Sequence, residues 1–159
     1  MSKVNINVYK DKVYACFMGK NIGGTIGAPY EGKRELLDIK GLISEPGKPL
    51  PNDDLDLQLV WLKAVQENNL RDLNPALLGE YWLDRIIPDF NEYGIAKANL
   101  KIGILPPMSG ELNNPYWKDS NGAWIRTEIW ACLAPGAPFK ACRCSCYDAM
   151  VDHGHGEGT

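Results

Sequence analysis

The chain has 159 residues, 45% of them hydrophobic and 23% charged, with a formal net charge of −3. That length supports a domain with a real core, and the composition is that of a soluble globular protein. The acidic balance argues against non-specific nucleic-acid binding, which needs a basic patch. No apolar run reaches the roughly 20 residues of a membrane span, and Met1–Asn7 lacks the apolar stretch of a secretory leader.

Helical periodicity predicts a first helix from about Tyr9 to Ile26, with Val13, Cys16 and Phe17 on one face. Gly19, Gly23, Gly24 and Gly27 are unusual there, since each costs up to ~1 kcal/mol relative to Ala in a helix interior. Such glycines serve close packing against a neighbouring helix or close approach to a ligand, and packing is the commoner reason. A loop runs from Ala28 to about Pro51, punctuated by prolines. The clearest helix follows, from about Asp54 to Glu67. Leu55, Leu59 and Leu62 form a stripe that Leu57, Val60, Trp61 and Val65 widen, which predicts a buried helix. Asn68-Asn69 ends it.

Asn74-Pro75 predicts a helix start, with Asn as cap and Pro at the first helical position. This helix reaches about Ile86. Another covers about Asp89 to Leu100, and Pro106 to Pro115 reads as loop. Ala123 to Leu133 and Pro138 to about Val151 complete the set. No strand alternation is apparent, so the fold class is all-α, read as a single domain over 1–159.

Four groups could carry chemistry. Asn52-Asp53-Asp54-Leu55-Asp56 crowds oxygen-bearing side chains at a helix entry. Mutual repulsion among the carboxylates would be relieved by a hard divalent cation such as Mg²⁺ or Ca²⁺. The plainer reading makes Asn52 the helix cap and the acids a favourable first turn. Glu31 lies just past the glycine-rich helix, where a lone Glu is ordinarily solvated. Asn121-Gly122 precedes a helix whose N–H groups could receive phosphate, and Arg126 reads by default as a surface charge. Cys142, Cys144 and Cys146 with His153 and His155 are zinc-ligand types, but the cysteine spacing suits zinc poorly. The cysteines number five, and with no export signal they read as reduced thiols of a cytoplasmic protein.

In order, these pieces resemble the ADP-ribosylglycohydrolase family. The family has a glycine-rich first helix leading to a Glu, then a Thr-Asp-Asp-Thr-like metal turn. A Gly-Asn-Gly-like turn with a downstream Arg follows, and then a His closing a helix. Here they read Gly19 to Glu31, Asn52-Asp53-Asp54, Asn121 to Arg126, and Asp148 to His153. The Pro106–Asn114 segment is similar to that of one subgroup.

The resemblance implies an all-α orthogonal bundle that hydrolyses the N- or O-glycosidic bond of ADP-ribosylated protein or a small ADP-ribosyl compound. It implies two Mg²⁺ ions, with Mn²⁺ in some members. Asn52, Asp53 and Asp54 would be metal ligands, and Glu31 would activate water or hold the ribose. Asn121, Gly122 and His153 would bind substrate. Asn52 and Leu55 stand where the family has Thr, and Gly24-Thr25-Ile26-Gly27 lacks a frequent Asp. No Asp-x-Asp-Thr/Ser pair follows His153. The chain therefore reads as the N-terminal part of such a domain, expected to be inactive alone and to self-associate through exposed apolar surface. The alternatives are a non-catalytic ADP-ribose-binding or structural member of the same scaffold, and a small zinc protein built on the cysteines.

Overall fold

The computed structural model describes residues 4–43 and 51–159. Its α-helices are α1 (Ile6–Gly27), α2 (Asp53–Asp72), α3 (Pro75–Arg85), α4 (Asn91–Lys101), α5 (Met108–Glu111), α6 (Glu128–Leu133) and α7 (Pro138–Asp152). There is no strand among the described residues, and the fold is all-α as expected. No helix is long and apolar enough to cross a membrane among these residues. They group into two compact units, Met1–Asp56 and Leu57–Thr159.

In the first unit, α1 begins where the Asn5 side chain accepts from the amides of Asn7 and Val8, at 3.0 and 3.3 Å. This satisfies two of the N–H groups that a helix start leaves unpaired. α1 runs into a single 3₁₀ turn, Ala28–Tyr30, with Pro29 inside it. None of the residues of α1 is buried. The helix packing expected of its glycines is not seen among the described residues, and one glycine meets a side chain instead. A Cβ on Gly24 would fall 1.9 Å from Nδ2 of Asn52, whereas Gly19, Gly23 and Gly27 have nothing within 4 Å. Asn52 in turn starts α2, its carbonyl accepting from the amides of Leu55 and Asp56 at 3.1 and 2.9 Å.

The second unit holds the core. α2 buries Leu57, Gln58, Trp61 and Ala64, while Leu59, expected in the buried stripe, is 63% exposed. The buried side is fixed by the aromatic stack. The Trp61 ring lies 5.9 Å from that of Trp82 and 6.2 Å from that of Trp130. Gln58 joins this side because its polar ends are met. Its Oε1 accepts from the Ile129 amide at 2.9 Å, and its Nε2 donates to Glu128 at 3.1 Å. Asn69, with φ 61° and ψ 153°, breaks α2 at the expected place. The Asn74 side chain caps α3 by accepting from the Leu77 amide at 3.0 Å.

Two expected elements differ. The segment expected as a loop over Pro106–Pro115 contains α5, one short helical turn. The helix expected over Ala123–Leu133 is two pieces, a 3₁₀ turn at Trp124–Arg126 and then α6.

Candidate functional site

Two groups of candidate residues stand out, one in each unit. In the first, Oδ1 of Asn52 accepts from the Asp54 amide at 3.0 Å, and Oδ1 of Asp53 accepts from the same amide at 3.2 Å. Asn52 is thus a helix cap, and Asp53 and Asp54 occupy the first turn of α2, partly exposed. The positive end of the helix favours carboxylates here by about 0.3–1 kcal/mol each. Glu31 closes the 3₁₀ turn after α1 and is exposed. Oxygen donors on adjacent residues at a helix start suit a hard cation. Leu55 adds no donor.

In the second unit, α7 carries Asp148 and Asp152 one helical turn apart, so both face the same way. Between them sits Arg126. Its Nε donates to Asp148 at 2.8 Å, and Nη1 and Nη2 donate to the two oxygens of Asp152 at 3.0 and 2.6 Å. Nη1 also donates to the Gly122 carbonyl at 3.0 Å. The guanidinium carbon lies 5.0 Å from the Trp82 ring, and Trp130 Nε1 donates to Asp148 at 2.9 Å. All three charged side chains are fully buried, so Arg126 is not the surface charge expected of it.

The electrostatics follow from that burial. Burial pushes the Asp148 carboxyl up to about 6, against the pull of Arg126. Burial acts the same way on Asp152, but Arg126 and His153 outweigh it and hold the carboxyl below its ordinary value. For Arg126, burial opposes the charge, and Asp148 and Asp152 overcome it, keeping the guanidinium above its ordinary value.

His153 follows α7 directly and is also fully buried. Its Nε2 lies 3.1 Å from the Ser120 hydroxyl. Its Nδ1 lies 2.9 Å from Oδ1 of Asp152, at ion-pair distance but without hydrogen-bond alignment. Glu92, in the first turn of α4, is only 6% exposed, and its Oε2 has no hydrogen-bond partner. Burial, then the nearby Asp152 charge, raise its pKa above the ordinary carboxyl value.

Glycines bring these groups together. A Cβ on Gly122 would lie 2.1 Å from Glu92 Oε1 and 3.3 Å from His153 Cε1, and one on Gly158 would lie 2.0 Å from His153 Cδ2. A Cβ on Gly110 would meet the His153 amide at 2.5 Å. The Pro106–Asn114 segment fixes the end of α7. Ser109 donates to the Val151 carbonyl at 2.7 Å, and Asn114 Nδ2 donates to the carbonyls of Gly110 and Asp152 at 2.8 and 2.9 Å.

The structure therefore gathers Gly122 and His153 in one buried cluster. Asn121 is exposed beside it, its carbonyl accepting from the Trp124 amide at 3.0 Å. His153 offers no exposed atom. Glu31, Asn52, Asp53 and Asp54 belong to the other unit. All five cysteines are among the described residues and none is in a disulfide; Cys142 is exposed and Cys144 buried. The one group of three metal-ligating side chains found among the described residues is Glu92, Asp152 and His153, which contains no cysteine.

Sequence reasoning missed Glu92, Asp148 and Asp152. For the two aspartates a signal existed, since like charges at positions i and i+4 share one face of a helix and a buried pair needs a counter-charge. Glu92 gave none, because an acid in a first helical turn is ordinary.

A family model described as ADP-ribosylglycohydrolase matches residues 5–159 of the chain. No curated protein and no solved structure matches it.

Proposed function

We propose, from the premise that this chain belongs to the ADP-ribosylglycohydrolase family, that it contributes to a metal-assisted hydrolase acting on the glycosidic bond of an ADP-ribosylated protein or small ADP-ribosyl compound. The observation that carries this reading is the ordered match over residues 5–159, with paired acids at the start of α2.

The proposed division of labour follows the chemistry of each group. Asn52, Asp53 and Asp54 would hold Mg²⁺, or Mn²⁺, through oxygen atoms. A bound divalent ion lowers the pKa of water and polarises the oxygens it touches. Glu31, exposed on the turn after α1, is proposed to take a proton from the attacking water. Asn121 would present the outer edge of its turn to the ADP-ribose. Gly122 and His153 are proposed to shape the substrate side from behind, with the imidazole holding Ser120 and the turn in place. Residues 1–159 are proposed to form the N-terminal part of one such domain, supplying one side of the metal site. A cytoplasmic setting fits cysteines that form no disulfide.

The test is release of ADP-ribose from ADP-ribosylated arginine, ADP-ribosylated serine or a small ADP-ribosyl compound. It uses these residues together with any coding sequence beyond Thr159. Release should require Mg²⁺ or Mn²⁺. Replacing Asp53 and Asp54 together by Asn should slow it by roughly 100-fold or more, because a catalytic metal supplies several kcal/mol. No release from any of these substrates, together with metal-independent ADP-ribose binding, would favour a binding protein on the same scaffold. Leu55 in place of an oxygen donor is the observation on that side.

A further inference from the structure

We infer a second cation site, distinct from the acids of α2, formed by Glu92, Asp152 and His153 and suited to a first-row divalent transition ion such as Zn²⁺. One ligand atom from each of these side chains lies within 4.8 Å of the others, and all three residues are buried.

Two unpartnered atoms point to a ligand there. Oε2 of Glu92 and Nδ1 of His153 are both buried and both without a hydrogen-bond partner. An unsatisfied buried polar atom is destabilising, and here two of them converge beside a second carboxylate, that of Asp152. The contacts of the imidazole suit one tautomer. Nε2 lies 3.1 Å from the Ser120 hydroxyl, and a proton on Nε2 donates to that oxygen. Nδ1 then carries a lone pair, 2.9 Å from Oδ1 of Asp152. Two lone pairs at that distance repel unless a cation is shared between them. A proton on Nδ1 would also relieve the repulsion, but it would bond to Asp152, and the alignment for that bond is missing.

The charge balance agrees. Glu92, Asp148 and Asp152 are three buried carboxyls, and Arg126 is paired with only Asp148 and Asp152. Buried charges are retained when paired; three carboxylates against one guanidinium leave two negative charges, which a divalent ion would balance.

One imidazole nitrogen with two carboxylate oxygens favours zinc, manganese or iron over Mg²⁺, which prefers an all-oxygen shell. The Ser120 hydroxyl would play the usual outer partner, fixing the imidazole by its other nitrogen. Because His153 and Asp152 are fully buried, the ion enters as the unit folds. Its binding energy is then folding energy.

The experiment uses the 159-residue chain, treated with chelator, unfolded, and refolded with or without Zn²⁺ or Co²⁺. After desalting, the refolded wild type should retain about one zinc ion per chain and melt at a higher temperature than the metal-free chain. The cobalt form should show visible ligand-field bands and no thiolate charge-transfer band. Glu92→Gln should weaken zinc retention by at least about tenfold, and Ser120→Ala by about tenfold. Replacing Asp53 and Asp54 by Asn should leave retention unchanged, which separates this site from the proposed hydrolytic one. No retained zinc, no rise in melting temperature for the wild type, or a thiolate band marking the cysteines as ligands would each overturn the inference. So would zinc retention by a folded Glu92→Gln chain equal to that of wild type.

Discussion

α1 and α7 are both long helices in the same chain, and they solve opposite problems. Over its 22 residues α1 buries none, and Val8, Tyr14 and Ile22 stand exposed on it. α7 buries Cys144, Asp148, Ala149, Val151 and Asp152 within 15 residues. The helix that looks more apolar buries no residue, and the one that looks more polar buries five. Apolar content drives burial only where a partner surface meets it. Charge resists burial only where it lacks a counter-charge. For α7 the partner is Arg126, held by a 3₁₀ turn far away in sequence.

The largest expected effect removes that partner. Arg126→Ala leaves Asp148 and Asp152 buried without their cation and should destabilise the second unit by about 3–5 kcal/mol. Tryptophan fluorescence in urea is the right readout, because all five tryptophans lie beyond Leu57. Unchanged unfolding would show that the pairing is not what holds α7 inside.

A pH series sharpens the same contrast. Between its ordinary 3.8 and about 6, Asp148 keeps a proton in the folded state that the unfolded chain has released. Its contribution to stability therefore falls as pH rises through that window. Asp152 has the opposite sign. Its depressed pKa stabilises above the ordinary 3.8, and that contribution is lost as pH falls below it. Asp148→Asn should flatten the slope in the upper window and leave the acid limb in place. The check is urea titration across pH.

The smallest effects test α1. Gly19→Ala meets nothing and should stabilise the helix by roughly 0.5–1 kcal/mol. Gly24→Ala drives a Cβ into Asn52. Losing that cap costs about 0.5–2 kcal/mol, enough to offset the helix gain. Melting followed by far-ultraviolet dichroism should show opposite signs for the two. Equal gains would mean that Asn52 is free to move aside.

What was legible in the sequence was local. The Asn74-Pro75 start, the break at Asn69 and the all-α class all rest on backbone chemistry that a few residues decide. Which side of α2 faces inward was not legible. Gln58 is buried because the amide of Ile129 meets it, and that partner is far off in sequence. The same distance hid Glu92, whose neighbour Gly122 belongs to another turn, and it made Arg126 look like a surface charge. On the candidate site, the sequence pointed to the acids of α2 and to Gly122 and His153, and the last two lie side by side in the second cluster. The charged middle of that cluster exists only once α4, the turn before α6, and α7 are packed.

One consequence concerns how this region can change. The imidazole of His153 is flanked by Gly122 and Gly158, and its backbone is met by Gly110. These come from three separate segments, so none of the four positions can drift alone. A methyl group at Gly158 displaces the ring, one at Gly110 the chain behind it and one at Gly122 the Glu92 carboxylate beside it, and a smaller residue in place of the histidine removes what the glycines exist to admit. Substitutions here should be tolerated only in combination. Among related sequences the four positions should vary as a set or not vary at all, which alignment of many family members would test without reference to any activity.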